Sequence, residues 1–117
     1  MLRSIMITAA FVVATPAVAD SFSIVESRER FVSLVDGRDL TRFGIRLNVG
    51  PGGEITGRAF GTRVTGQWDW ESGYFCRDLF FGDEDLGPNC QLVQVAGDTL
   101  RFTSDRGAGI YADLRLR

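Results

Sequence analysis

The chain contains no histidine and no lysine, so all 13 of its basic residues are arginine. These absences close most routes to catalysis near neutral pH. Histidine is the usual general base there, and lysine is the residue that forms Schiff bases. A zinc site built on imidazole is equally excluded. Carboxylates and tyrosine remain for proton transfer, and no catalytic set stands out among them. Charge blocks are missing too. The arginines and the 15 acidic residues alternate along the chain, leaving no basic run to follow a phosphate backbone, so nucleic acid is not an expected partner. Asp83, Glu84, Asp85 and Asn89 bunch together but lack the spacing and terminal bidentate Glu of a calcium loop, so no metal is expected. Past residue 19 no apolar run approaches the roughly 20 residues of a spanning helix.

The first 19 residues hold the long apolar run that the rest lacks. Arg3 precedes the apolar stretch Ile5 to Val13, Pro16 breaks it, and Ala17, Val18 and Ala19 supply small residues for a peptidase. This three-part pattern predicts a secretory signal peptide over 1–19, cleaved between Ala19 and Asp20. A single β-rich domain over 20–117 remains, placed in the periplasm or secreted, with no membrane span after cleavage. Its expected partner is an unknown periplasmic protein or a small molecule. In an oxidising compartment the two cysteines, Cys76 and Cys90, are expected to form one structural disulfide.

Periodicity separates a short helix from a run of strands. Phe31, Leu34 and Val35 recur at helical spacing, Ser23 or Ser27 can cap the start, and Gly37 suits a left-handed stop, which predicts a helix near 26–36. From position 45 onward the period is two. Strands are expected over 45–49, 54–60, 64–70, 74–81, 90–95, around 100–102 and over 110–116, with Gly61 to Arg63 as a turn and Gly82 to Pro88 as an acidic loop. Seven short strands at near-regular spacing predict a mainly β fold. It is a small antiparallel meander or barrel with one N-terminal amphipathic helix. Gly57, Gly61 and Gly66 permit the sharp coiling that closure needs.

Gly50, Pro51, Gly52 and Gly53 imitate a dinucleotide loop, but β-formers follow where a helix is required, so a hairpin turn is expected and no cofactor. Trp68 and Trp70 alternate onto one face and belong to the core. The sharper reading makes Trp68, Trp70, Tyr74 and Arg77 the lining of a ligand site. Arg77 with Asp78, and Asp105 with Arg106, are candidate ion pairs.

The block from Gly66 through Trp68, Trp70, Tyr74 and Cys76 to Leu79, then Asn89, Cys90 and Gln91, then Leu100 to Gly107, resembles a group of short exported bacterial proteins. Some of that group carry the name dihydrodipicolinate reductase. The resemblance covers most of the chain after residue 19 and implies export, without an established activity. The true reductase has a nicotinamide-binding Rossmann domain, a second domain, and a motif resting on His and Lys that no position here can match. The expected function is a non-catalytic exported binding or envelope-associated module. The alternatives are a nicotinamide-dependent reductase, or a calycin-like carrier with a cavity lined by Trp68 and Trp70.

Overall fold

A computed structural model describes residues 21–117, and the expected signal peptide over 1–19 lies outside the described residues. The described chain is a closed antiparallel barrel with a helix over one end. Its elements run β1 (Ser23–Ile24), α1 (Arg28–Val35), β2 (Asp39–Arg42), β3 (Ile45–Val49), β4 (Glu54–Ala59), β5 (Thr62–Glu71), β6 (Tyr74–Phe81), β7 (Glu84–Ala96), β8 (Thr99–Thr103) and β9 (Tyr111–Leu116). Each strand from β2 to β9 pairs with the next, and β2 pairs with β9 to close the ring. Closure leaves the ring of β2 to β9 without terminal strands, and the short β1 alone stands outside it, which limits edge-to-edge association.

The pairing shows how steeply the strands tilt. From Thr41, directly opposed residues lead one way through Arg115 and Thr99 to Ala96, at the end of β7. The other way they lead through Arg46 and Arg58 to Arg63, whose carbonyl accepts from the Gly82 N–H just before β7 begins. A stagger this large is the shear that an eight-stranded barrel needs to leave room for side chains inside. It also explains the 13-residue length of β7. The first half of β7 pairs with β6 and the second half with β8, while β1 takes the flank that β6 leaves free, opposite Gln94 and Val95.

All seven expected strands are present. Two more precede them, β1 and β2, where the short segments show no alternation to read. The expected acidic loop over 82–88 is corrected: the turn is Gly82 and Asp83 alone, and β7 begins at Glu84. Gly87 and Pro88 normally argue against a strand. Here Leu86 is bulged out between the pairs Phe80–Asp85 and Leu79–Gly87, and Asp85 Oδ1 accepts from the Gly87 N–H at 2.8 Å. Pro88 falls where β8 does not reach, because β8 opposes only Leu92 to Ala96. The expected turn at 61–63 likewise shifts to Phe60 and Gly61.

Helix α1 starts where Ser27 Oγ accepts from the Arg30 N–H at 3.1 Å and stops before Gly37, whose φ is +70°. Phe31 and Val35 on its inner face are fully buried. The Phe31 ring is the centre of an aromatic cluster, with centroids 5.2 Å from Trp68, 5.3 Å from Trp70, 5.0 Å from Phe75 and 6.3 Å from Phe102. The helix therefore plugs the end of the barrel at which the β3–β4 and β5–β6 turns lie. Arg28 ties it down by donating to the Pro51 carbonyl at 2.8 Å while its guanidinium lies over Trp68.

Candidate functional site

The structure separates the four aromatic and arginine residues singled out above as a ligand lining. Trp68 and Trp70 face inward but are packed against Phe31, and the Trp68 indole N–H donates to the Gly50 carbonyl at 2.9 Å. They fill the helix end of the interior. Tyr74 is on the outer wall, under the Arg106 guanidinium. Arg77 alone faces free space. It alternates inward with Phe75 and Leu79 and reaches a cavity of about 150 Å3 below the aromatic cluster. That cavity is otherwise apolar except for Gln91. Arg77 Nη1 donates to the Gly87 carbonyl at 2.7 Å. Burial pulls the guanidinium below the ordinary arginine range, and the adjacent Asp78 carboxylate opposes that shift.

Neither candidate neighbour pair forms an ion pair among the described residues. Arg77 turns inward while Asp78 turns outward, since successive strand residues point to opposite faces. Asp105 instead exchanges two hydrogen bonds with the Asn89 side chain, at 2.8 and 3.0 Å. Cys76 and Cys90 are directly opposed on β6 and β7 and are joined as a disulfide on the outer wall. The glycine stretch over 50–53 is the β3–β4 hairpin turn, followed by β4, so it presents no helix N-terminus to a pyrophosphate.

A second arrangement, invisible along the chain, is assembled by the barrel. On the outer wall Arg46 of β3 is directly opposed to Arg58 of β4, and Arg58 to Arg63 of β5. On the other side Arg46 faces Thr41 of β2, which faces Arg115 of β9. Four arginines thus stand in one row across five adjacent strands, and all four are exposed. Neighbouring strands lie about 4.8 Å apart, so the row runs for roughly 20 Å. Like charges directly opposed across strands destabilise a sheet. Among the described residues, acidic groups relieve the row at one point, where Arg46 Nη1 donates to Asp39 Oδ2 at 2.6 Å. Asp113, the other nearby carboxylate, is held by Arg101 through two hydrogen bonds of 2.9 and 3.0 Å. A groove of about 650 Å3 runs beside the row between β9 and β4, lined by Arg42, Arg46, Arg58 and Arg115 among others.

Two exposed aromatics stand at the hairpin tips on this side of the barrel, and Phe43 lines the groove. Phe43 in the β2–β3 turn is 93% exposed and Phe60 in the β4–β5 turn 68%. Phe60 has φ +51°, a left-handed conformation that Asn or Gly usually supplies in a two-residue hairpin. Its ring lies across Gly44, where a Cβ would collide with it, and its N–H donates to the Gly44 carbonyl at 2.7 Å. The two hairpins therefore abut and hold both rings out. Sequence reasoning missed the row because its members lie 5 to 69 positions apart, and alternation with acidic neighbours looks neutral in one dimension. The one available signal was that Arg46, Arg58 and Arg115 each occupy an outward position of an expected strand; Arg63 falls in an expected turn and joins the row only because β5 starts at Thr62.

Comparison of the chain with protein-family models, with curated proteins and with solved structures found no match.

Proposed function

We propose that this protein is a non-catalytic exported binding module whose outer barrel wall engages an anionic partner along the arginine row. The row itself is the observation that carries the reading. Three arginines kept in direct opposition, Arg46 to Arg58 to Arg63, weaken the bare barrel, and a partner bearing negative charge turns that cost into affinity. The Cys76–Cys90 disulfide supports the compartment, since such bonds persist outside the reducing cytoplasm, as do the leader-like residues 1–19 and the resemblance to short exported proteins. The missing His and Lys argue against a catalytic role. Two measurements test the reading. Osmotic-shock fractions should contain a form beginning at Asp20 with no titratable thiol. The purified protein should bind soluble polyanions with an affinity that falls steeply with salt and drops more than tenfold in Arg58→Gln/Arg63→Gln. Free thiols in cytoplasm-retained protein would remove the export half. Indifference to every polyanion would remove the binding half.

A second reading, a small-molecule carrier, has one observation in its favour: the cavity holding Arg77 and Gln91. At about 150 Å3 it accommodates only a small molecule. A short-chain carboxylate placing its charge on Arg77 is the matching chemistry. Chemical-shift changes at Arg77 and Leu79 on adding butyrate, abolished in Arg77→Gln, would establish it, and unchanged spectra would end it.

A further inference from the structure

We infer that the anionic partner is a linear acidic polysaccharide, seated with its carboxylates on the arginine row and its sugar rings against Phe43 and Phe60. The inference deepens the proposed function and rests on the reading of the row as an anion-binding wall.

Three observations select this chemistry. The first is the repeat. Arg46, Arg58 and Arg63 sit on successive strands, one cation per strand spacing of about 4.8 Å. A polymer of uronic acids carries one carboxylate on each ring, and one ring spans a comparable length; neighbouring rings are rotated about the chain axis, so the carboxylates turned toward the wall are the ones that meet guanidiniums. Planar guanidinium matches planar carboxylate through paired hydrogen bonds. Across the row Thr41 interrupts the charge; its hydroxyl donates to the Arg115 carbonyl at 3.2 Å and keeps its lone pairs to accept from a sugar hydroxyl.

The second is the border of rings. Phe43 and Phe60 lie one outward position further toward the hairpin tips than Thr41 and Arg58; Phe43 lines the groove, and Phe60 packs on Gly44, which also lines it. Exposed phenyl faces carry negative quadrupole charge and attract the electron-poor C–H face of a pyranose. Phe60 holds its place at φ +51°, which is unfavourable for an aromatic side chain. One face of that ring packs on Gly44, and the ring is still 68% exposed.

The third is the direction of the row. It runs perpendicular to strands that are themselves tilted, so it climbs the barrel wall obliquely, from Arg63 near the β4–β5 tip to Arg115 on the far side of β2. A flat bilayer meets a curved wall along one short strip and cannot reach all four arginines. A flexible chain can follow them. Inorganic polyphosphate can also follow the charges, but it has no ring face to set against Phe43 and Phe60; a single-stranded nucleic acid, whose bases stack on aromatic rings, is the competitor that the test must separate.

The test compares probes on the purified protein by isothermal titration calorimetry at fixed salt: polymannuronate and polygalacturonate oligomers, inorganic polyphosphate, a single-stranded DNA oligomer, phosphatidylglycerol vesicles and neutral dextran. Two variants accompany the wild type. Phe43→Ser/Phe60→Asn removes the rings, with Asn chosen because it tolerates the left-handed position. Arg58→Gln/Arg63→Gln removes half of the row. Both carry changes at exposed sites, and far-UV circular dichroism checks that they fold. The expected result is tightest binding to a uronate oligomer and none to dextran. The ring variant should lose about tenfold in uronate affinity while leaving polyphosphate binding unchanged. The arginine variant should lose affinity for both. Polyphosphate, DNA or vesicles binding as tightly as uronate, or a ring variant that keeps full uronate affinity, would overturn the polysaccharide inference while leaving an anion-binding wall. Binding of none of the probes would overturn the wall as well.

Discussion

At the scale of single residues, two glycines decide whether the barrel can close. Gly57 has φ +153°, and a Cβ there would fall on the Arg46 carbonyl oxygen. A Cβ at Gly66 would fall on the Asp78 carbonyl oxygen and crowd the Leu79 side chain. In both cases the obstacle is backbone, which cannot swing aside. Gly57→Ala and Gly66→Ala are therefore each expected to lower stability by about 1–3 kcal/mol in urea denaturation, whereas Gly52→Ala, with nothing nearby, should stay within about 0.5 kcal/mol of wild type. A neutral Gly57→Ala would mean that the strands lie further apart than described. A second residue-scale expectation concerns acid. Hydrogen bonding from Arg101 holds the Asp113 carboxyl below the usual carboxylate range. A depressed native pKa contributes stability that is full above the unfolded carboxylate range and is lost as pH falls through the native value. Asp113→Asn should thus narrow its deficit against wild type progressively below that range. The effect should be modest, because the pair is partly exposed and screened by solvent. A deficit that stays constant down to strongly acid pH would show that the carboxylate's charge is not what Arg101 holds.

At the scale of elements, the helix and most strands were legible because each carries its own local signal. Phe31 and Val35 announce the buried face of α1, and Val64, Trp68 and Trp70 the inner face of β5. What escaped notice lacked such a signal. β2 shows a single buried residue, Leu40, in four, and the start of β7 is disguised by Gly87, Pro88 and the Leu86 bulge. Only tertiary pairing with β6 makes that stretch a strand. The same hairpin carries the disulfide, whose cysteines are 14 positions apart. Chain entropy assigns a loop of this length about 3 kcal/mol, independent of any contact the sulfurs make. Cys76→Ser/Cys90→Ser is expected to lower the urea midpoint by a corresponding amount with the slope of the transition increased, since the unfolded chain is no longer cross-linked. An unchanged midpoint would show that the β6–β7 register, bulge included, is already as constrained in the unfolded chain without the bond.

At the scale of the whole molecule, the arginine row could not be seen in the sequence for a different reason. Its members carry ordinary local signals, and only the register of five strands brings them into line. A near-neutral chain thereby acquires a strongly one-signed wall, and the fold bears the consequence. Arg63 sits at the end of the row opposite Arg58, and its side chain faces no carboxylate within ion-pair distance among the described residues. Replacing it by Gln removes a like-charge opposition of about 0.2–1 kcal/mol. Arg63→Gln is therefore expected to stabilise the ligand-free protein slightly at low ionic strength, and the gain should fade as salt screens the row over a Debye length of about 10 Å at 0.1 M. The same substitution should weaken polyanion binding. Opposite signs on stability and on affinity are what a surface kept for binding must show, because residues kept for stability alone lose both together. Thermal melts of both proteins from 10 mM to 500 mM NaCl, with and without a uronate oligomer, separate the two cases. A variant that is less stable at every salt concentration would identify Arg63 as a structural residue and shorten the binding row to Arg46, Arg58 and Arg115.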